Sequence, residues 1–210
     1  MGTAPVAPSP RPQPYPVAAR ELLRTSLLDA AREELRQRRW ADVTMADVAV
    51  AAGVSRQTLY KEFGSREEFA QALVLREADS LLDAVEQAMH DNREEPAEAL
   101  AAAFDVYLTA AAENPLLRAV VSADGADELL TLLTTHGEPL LERSSERLKR
   151  LLHAGWPSMR EDDVELLSEC LVRLAISYAA LPKGPASMSA ASVARLLGPY
   201  VESVGRRATA

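Results

Sequence analysis

The sequence predicts an all-α protein, and three observations carry that prediction. Ala and Leu dominate a chain that is 48% hydrophobic yet only 5% aromatic, a composition that favours helices over sheets. Apolar residues recur at three- and four-residue spacing along most of the length. Capping residues and helix breakers alternate at helix-sized intervals. No stretch shows strand alternation, and there is no internal repeat. With 210 residues, the chain suits one compact unit or two small helical ones.

Residues 1–16 hold six of the 13 prolines and almost no large apolar side chain. Residues 1–17 therefore read as a disordered, partly extended tail. From Ala18 the pattern turns helical, with Leu23, Leu27, Ala31 and Leu35 four residues apart, and this helix is expected to end near Arg38. Thr44 caps a second, short helix over Met45–Ala52, with Asp47 at its third position. Gly53 stands where a helix end wants a left-handed residue. Ser55 caps a third helix through Phe63, and Gly64 closes it. Ser65 and Glu68 form a capping box for a long fourth helix reaching about His90. Pro96 opens a helix to about Ala112. Asn114-Pro115 pairs a cap with proline at the first position of the next helix, which reaches about His136. Gly137-Glu138-Pro139 breaks or kinks the stretch between Asp127 and Ala154. The longest apolar helix covers about Arg160 to Leu181 and stops at Pro182. Residues 183–188 read as a linker, and Ser189 caps a last helix to about Arg207.

Two short helices joined by a tight glycine turn, behind a supporting helix, are the plan of a helix-turn-helix. That defines a three-helix unit over residues 18–66, followed by a larger helical domain over 67–210. Within Thr44–Phe63, Val48 and Ala49 face inward, Ala52 is small enough for the next helix to cross near it, and Val54 and Leu59 plug the space between. Arg56, Gln57, Thr58, Tyr60 and Lys61 remain as the polar set of the third helix. Arg and Gln can read base edges in a major groove, while Tyr, Lys and Thr can bind phosphate oxygens. The helix starts at Thr44 and Ser55 offer backbone N–H groups and positive dipole ends to phosphates. An ordinary helix pair in a bundle does not require this polar set beside two capped starts.

The charge distribution agrees. The net charge is −8, but residues 1–66 carry 10 Lys+Arg against 7 Asp+Glu, and residues 67–210 carry 13 against 24. The basic end can approach phosphate while the acidic end faces away. The proline-rich tail then has a second reading as an arm reaching for DNA, with Arg11 its only basic residue.

Thr44-Met45-Ala46-Asp47-Val48-Ala49, Ala52-Gly53-Val54-Ser55, Thr58-Leu59-Tyr60, Phe63 and Ser65-Arg66-Glu67 resemble the N-terminal signature of TetR-family repressors. The resemblance covers residues 20–75; the remainder matches in length and helical plan. It implies that Thr44, Gln57, Thr58, Tyr60 and Lys61 face DNA. One position departs: the family usually has glycine after the first helix, and this chain has Arg39. Either Arg39 adopts a left-handed backbone at a cost on the order of 1 kcal/mol, or the helix ends differently. Ser55–Tyr60, Glu62–Glu68 and Leu75–Asp79 are also similar to an actinobacterial subgroup whose regulators sit beside alkane hydroxylase and rubredoxin genes. That likeness implies control of hydrocarbon or fatty-acid oxidation.

A helix-turn-helix of this kind reads half a palindrome, so a two-fold homodimer is expected. Its interface is expected on the last two helices, through Leu167, Cys170, Leu171, Leu174 and Tyr178 and through Val193, Leu196, Leu197 and Tyr200. A pocket for a small hydrophobic effector, such as a fatty acid, its thioester or an alkane-derived molecule, is expected among Phe104, Tyr107, Leu108, Leu117, Val121, Leu129 and Leu133. Arg173 and Ser177 are its polar candidates, with Arg173 able to pair with a ligand carboxylate. Plain core packing explains the same stripes, and both readings stand at this point.

Other classes find little support. His90, His136 and His153 stand apart, with no His-x-x-x-His pair. Glu138 and Glu142 have no histidine partner of the di-iron kind. There is no phosphate-binding glycine loop and no Gly-x-Ser-x-Gly. An enzyme, a cofactor and a metal are therefore not expected; the other rival, an adaptor without DNA binding, would need no Arg56-Gln57-Thr58-x-Tyr60-Lys61 surface. The single cysteine cannot form an internal disulfide, which fits a reducing cytoplasm. No apolar run reaches the ~18 residues of a membrane span.

Overall fold

The computed structural model describes residues 15–121, 127–133, 135–181 and 184–205. All regular elements among them are helices. They are α1 (Tyr15–Gln37), α2 (Met45–Ala51), α3 (Arg56–Phe63), α4 (Arg66–Asp91), α5 (Pro96–Glu113), α6 (Pro115–Val121), α7 (Asp127–Leu133), α8 (Glu138–Gly155), α9 (Glu161–Ala180) and α10 (Ala186–Gly205), with a 3₁₀ turn at Trp40–Asp42. No described helix is long and apolar enough to cross a membrane.

Local chemistry sets these boundaries. Thr44 and Asp47 form a reciprocal capping box at α2, Ser65 and Glu68 form another at α4, and the Ser55 hydroxyl accepts from Thr58 N at α3. Gly53 and Gly64 have φ of +70° and +81°, conformations that cost little only without a Cβ. At α5, Pro96 fills the first turn, where its missing N–H matters least.

Three expectations are revised. First, α1 begins at Tyr15, so residues 15–17 of the expected tail are helical; residues 1–14 lie outside the described residues. Second, the stretch expected as one helix over 115–136 holds two short helices, α6 and α7, on either side of residues outside the description. Third, α10 starts at Ala186, ahead of the expected cap at Ser189. The expected stop at Pro182 lies outside the described residues. Arg39 carries no strain. Its φ of −74° and ψ of 152° are extended, it precedes the 3₁₀ turn, and its guanidinium pairs with Asp42 at 2.9 Å.

Packing divides the molecule into two apolar cores. The first joins Leu27, Ala31 and Leu35 of α1 to Val48, Leu59 and Phe63, and continues through Phe69 and Leu73 of α4 to Leu116, Leu129 and Leu132. Thus α6 and α7 share a core with the helix-turn-helix. The second core lies among the later part of α4 and α5, α8, α9 and α10. α4 enters both. At ~1.5 Å rise per residue, its 26 residues form a rod about 39 Å long, with one end against α1 and α3 and the other against α5 and α8.

Candidate functional site

Two regions carry the candidate chemistry: the outer face of α3 and a cavity along α4. On α3, Leu59 and Phe63 are buried, and Phe63 meets Phe69 edge-to-face at 4.8 Å. Burying that side turns the other outward. Arg56, Gln57 and Lys61 are exposed, while Thr58 and Tyr60 are partly covered. The Arg56 guanidinium lies over the Tyr60 ring at 5.2 Å and reaches its hydroxyl at 3.4 Å. Among the described residues, Gln57 and Lys61 make no hydrogen bond or ion pair. Thr44 and Ser55 stand exposed at the starts of α2 and α3. Six of the seven sequence-predicted polar residues thus lie on α3 or at its cap, and the seventh, Thr44, caps α2, which packs against α3.

Carboxylates near this face are held ionised by local partners. Asp47 is held below its usual range by hydrogen bonds from the Thr44 hydroxyl and backbone N–H. Burial of Glu62 works against its charge, but hydrogen bonds from Arg24 at 2.8 Å and Arg20 at 2.9 Å outweigh it and hold its carboxyl low. Arg24 also covers the Phe63 ring at 4.3 Å. Sequence reasoning missed Arg20 and Arg24; their four-residue spacing on one face of α1 was the available signal. Arg66 ties the region together. It lies 4.3 Å over the Trp40 ring and donates to Val43 O at 2.6 Å, Trp40 O at 2.9 Å and Glu128 Oε2 at 3.1 Å. The Trp40 indole N–H donates to the same Glu128 oxygen at 2.6 Å.

The cavity is lined by residues of α4 to α10. The space open to the centres of water-sized molecules is about 110 Å³; by that measure one water needs on the order of 10–15 Å³. Its α4 wall runs from Val74 to Met89, about 22 Å along a helix axis, so the shape is elongated. Four sequence candidates line it: Phe104, Tyr107, Leu117 and Leu133. Leu108 and Leu129 are buried core residues that do not line it. Val121 closes α6, but its side chain lies outside the described residues.

Arg173 and Ser177 are corrections. Both are exposed on the outer face of α9, and Arg173 pairs with Glu169 at 2.8 Å. The polar residues lining the cavity are instead Glu77 of α4, Tyr107 of α5 and Ser144 of α8. Glu77 had a readable signal, a charge inside the apolar stripe Ala70-Leu73-Val74-Leu81 of α4.

The expected dimer stripe is also divided. Leu167, Leu171 and Val193 are buried within the protomer, which removes them from any outer contact. Leu174, Tyr178, Leu197 and Tyr200 are partly buried, and the Tyr200 hydroxyl donates to Asp163 at 2.7 Å. Cys170 and Leu196 face outward, joined by Leu166. The mistake was one of face: a helix apolar on most sides does not itself say which side another subunit meets.

Comparison with known proteins gives concordant results. Residues 27–73 match the model described as bacterial regulatory proteins of the tetR family, and residues 95–199 match the bacterial tetracyclin repressor C-terminal domain. The transcriptional regulator AlkX of Mycobacterium tuberculosis is 40% identical over 97% of this chain and 96% of its own. The crystal structure of the TetR-family repressor AlkX from a Dietzia strain, implicated in biodegradation of n-alkanes, superposes with a TM-score of 0.79. It is 32% identical, covering 86% of this chain and 98% of that one. RolR, solved with resorcinol, shares the fold at a TM-score of 0.59 and 22% identity, over 91% of this chain and 96% of its own.

Proposed function

The chain belongs to the TetR family of bacterial transcriptional regulators, and from that premise we propose that it is a repressor that binds a palindromic operator as a homodimer and is released by a small hydrophobic effector. It is a regulator and not an enzyme, as its relatives are. One observation supports the DNA-binding reading above the rest. α3 is anchored by Leu59 and Phe63 and presents Arg56, Gln57 and Lys61 outward beside two capped helix starts. In this reading Gln57 and Arg56 help choose bases. Lys61, Tyr60, Thr58, Thr44 and Ser55 serve phosphates.

The dimer forms through the outward face of α9, with Leu166 and Cys170 at its centre, and through Leu196 of α10. Exposure of 54% at Leu166 and 73% at Leu196 supports this. The protein works in the cytoplasm. The elongated apolar cavity supports a long-chain ligand, and the n-alkane connection of the Dietzia relative supports an alkane-derived one. The ligand acts by favouring one arrangement of α4, whose ends reach both the cavity and the helix-turn-helix. A preference of ~2–3 kcal/mol for the released form lowers operator occupancy roughly 30- to 150-fold.

Footprinting on genomic fragments tests the reading. A protected site with two-fold symmetry is expected, and long-chain apolar compounds are expected to abolish the protection. Equal, weak binding to every sequence at low salt alone refutes it.

A further inference from the structure

The cavity has one charged wall. Glu77 lies on α4 between Val74 and Leu81 and is only 2% exposed. Its Oε2 accepts from Asn114 Nδ2 at 2.5 Å and lies 3.5 Å from Nε of Arg32 on α1. Its Oε1 is buried without a hydrogen-bond partner. A buried acceptor left unmatched costs free energy that a suitable donor recovers. Tyr107 adds a second polar group to the lining. Its hydroxyl makes no hydrogen bond to another described residue, and burial pushes the phenol up, so it stays a neutral donor.

Taking the cavity as the effector site, we propose that Glu77 is the head-group residue and that the effector is a long-chain primary alcohol, whose hydroxyl donates to Glu77 Oε1 while its chain lies along α4. This is the compound class that terminal hydroxylation of an n-alkane yields. A fatty-acid anion fits the same apolar walls, but it has no hydrogen to donate to Oε1. An alkane fills the walls and leaves Oε1 unmatched.

The position of Glu77 also gives the alcohol a route to the DNA-binding end. Asn114, which holds Oε2, caps α6 by accepting from Leu116 N at 2.9 Å and Leu117 N at 3.3 Å. Arg32 belongs to α1, the helix that supports α2. A ligand drawing on the other oxygen of the same carboxylate therefore acts where α4, α6 and α1 meet.

The test compares hexadecan-1-ol, hexadecane, hexadecanoate and methyl hexadecanoate at pH 8. Binding is read from the fluorescence of Trp156, a cavity-lining residue, and from release of operator DNA. The wild type should bind the alcohol about 10- to 150-fold more tightly than the alkane or the anion, the factor of a hydrogen bond to a charged group. In Glu77→Gln the side-chain oxygen stays with Asn114 and an amide N–H takes the place of Oε1. The alcohol's advantage should shrink below threefold, and the methyl ester, which only accepts, should gain. Wild type binding hexadecanoate as tightly as the alcohol overturns the assignment, whether or not the variant folds. So does a Glu77→Gln protein that keeps the wild-type ranking. Failure of all four compounds to bind the wild type overturns the hydrophobic-effector reading itself, and the head-group assignment with it.

Discussion

Replacing Lys61 by alanine removes one cation from the outer face of α3 and little else. The side chain is exposed and has no ion pair among the described residues, so stability should stay within about 0.5 kcal/mol of wild type. Its effect on DNA should be electrostatic. Each phosphate neutralised by a cationic side chain releases counterions and contributes ~0.9 to the slope of log affinity against log salt. A two-fold dimer carries two such lysines, so Lys61→Ala should flatten the slope by about 1.8. Between 50 and 200 mM salt, a fourfold change, wild type should then lose about 12-fold more affinity than the variant. Fluorescence anisotropy of a labelled operator across that range measures both slopes. Lys149 on α8, 3.5 Å from Glu165 of α9, is the control, and Lys149→Ala should leave the slope alone. Parallel lines for Lys61→Ala and wild type would refute a phosphate role for Lys61, however much the absolute affinity had dropped.

Leu196→Glu places a charge on an outward apolar position of α10 and should yield a folded monomer by light scattering; an intact dimer would move the interface elsewhere. Gly64→Ala should lower the melting temperature more than Gly53→Ala. Both force a positive φ at ~1–2 kcal/mol, but only at Gly64 does the new Cβ collide with Glu68 Oε2, part of the α4 capping box, adding about 1 kcal/mol; equal shifts would discount the cap. The carboxyls of Glu62 and Asp47 are both held low in the folded state, so their stabilisation is present above their unfolded values near pH 4 and is lost as pH falls through the lower folded ones. Thermal melts should accordingly be steady from pH 7 to 5 and fall below about pH 4, less steeply in Glu62→Gln.

The features legible in the sequence were those written in local chemistry. Thr44 with Asp47, Ser55, and Ser65 with Glu68 announce helix starts through hydrogen bonds spanning three residues. Gly53 and Gly64 announce ends through a conformation other residues avoid. The polar face of α3 followed by subtraction, once Leu59 and Phe63 were assigned to the core. The cavity was half legible. Phe104, Tyr107, Leu117 and Leu133 line it as expected, but the α4 and α8 walls have the same periodicity as filled core, because a stripe cannot say whether the atoms it faces are present. Arg173 misled because charge inside an apolar helix looks inward-facing until the outward side of α9 is known. Glu77 obeyed the opposite logic, and only the partners of its two oxygens separate a core defect from a ligand contact.

The Glu128 carboxylate, shared by the Trp40 indole and the Arg66 guanidinium, bears on how such molecules can be recombined. A hybrid sensor is naturally made by cutting after residue 66 and grafting another relative's recognition module in front. That cut passes between Trp40 and Arg66 on one side and Glu128 on the other, and it divides the apolar core that α6 and α7 share with α1 to α3. A foreign module without an indole and a guanidinium at these places would strand the acid and loosen the hinge through which the graft must be driven. A chimera that transplants the three positions as a set should keep its switch where one that splits them does not.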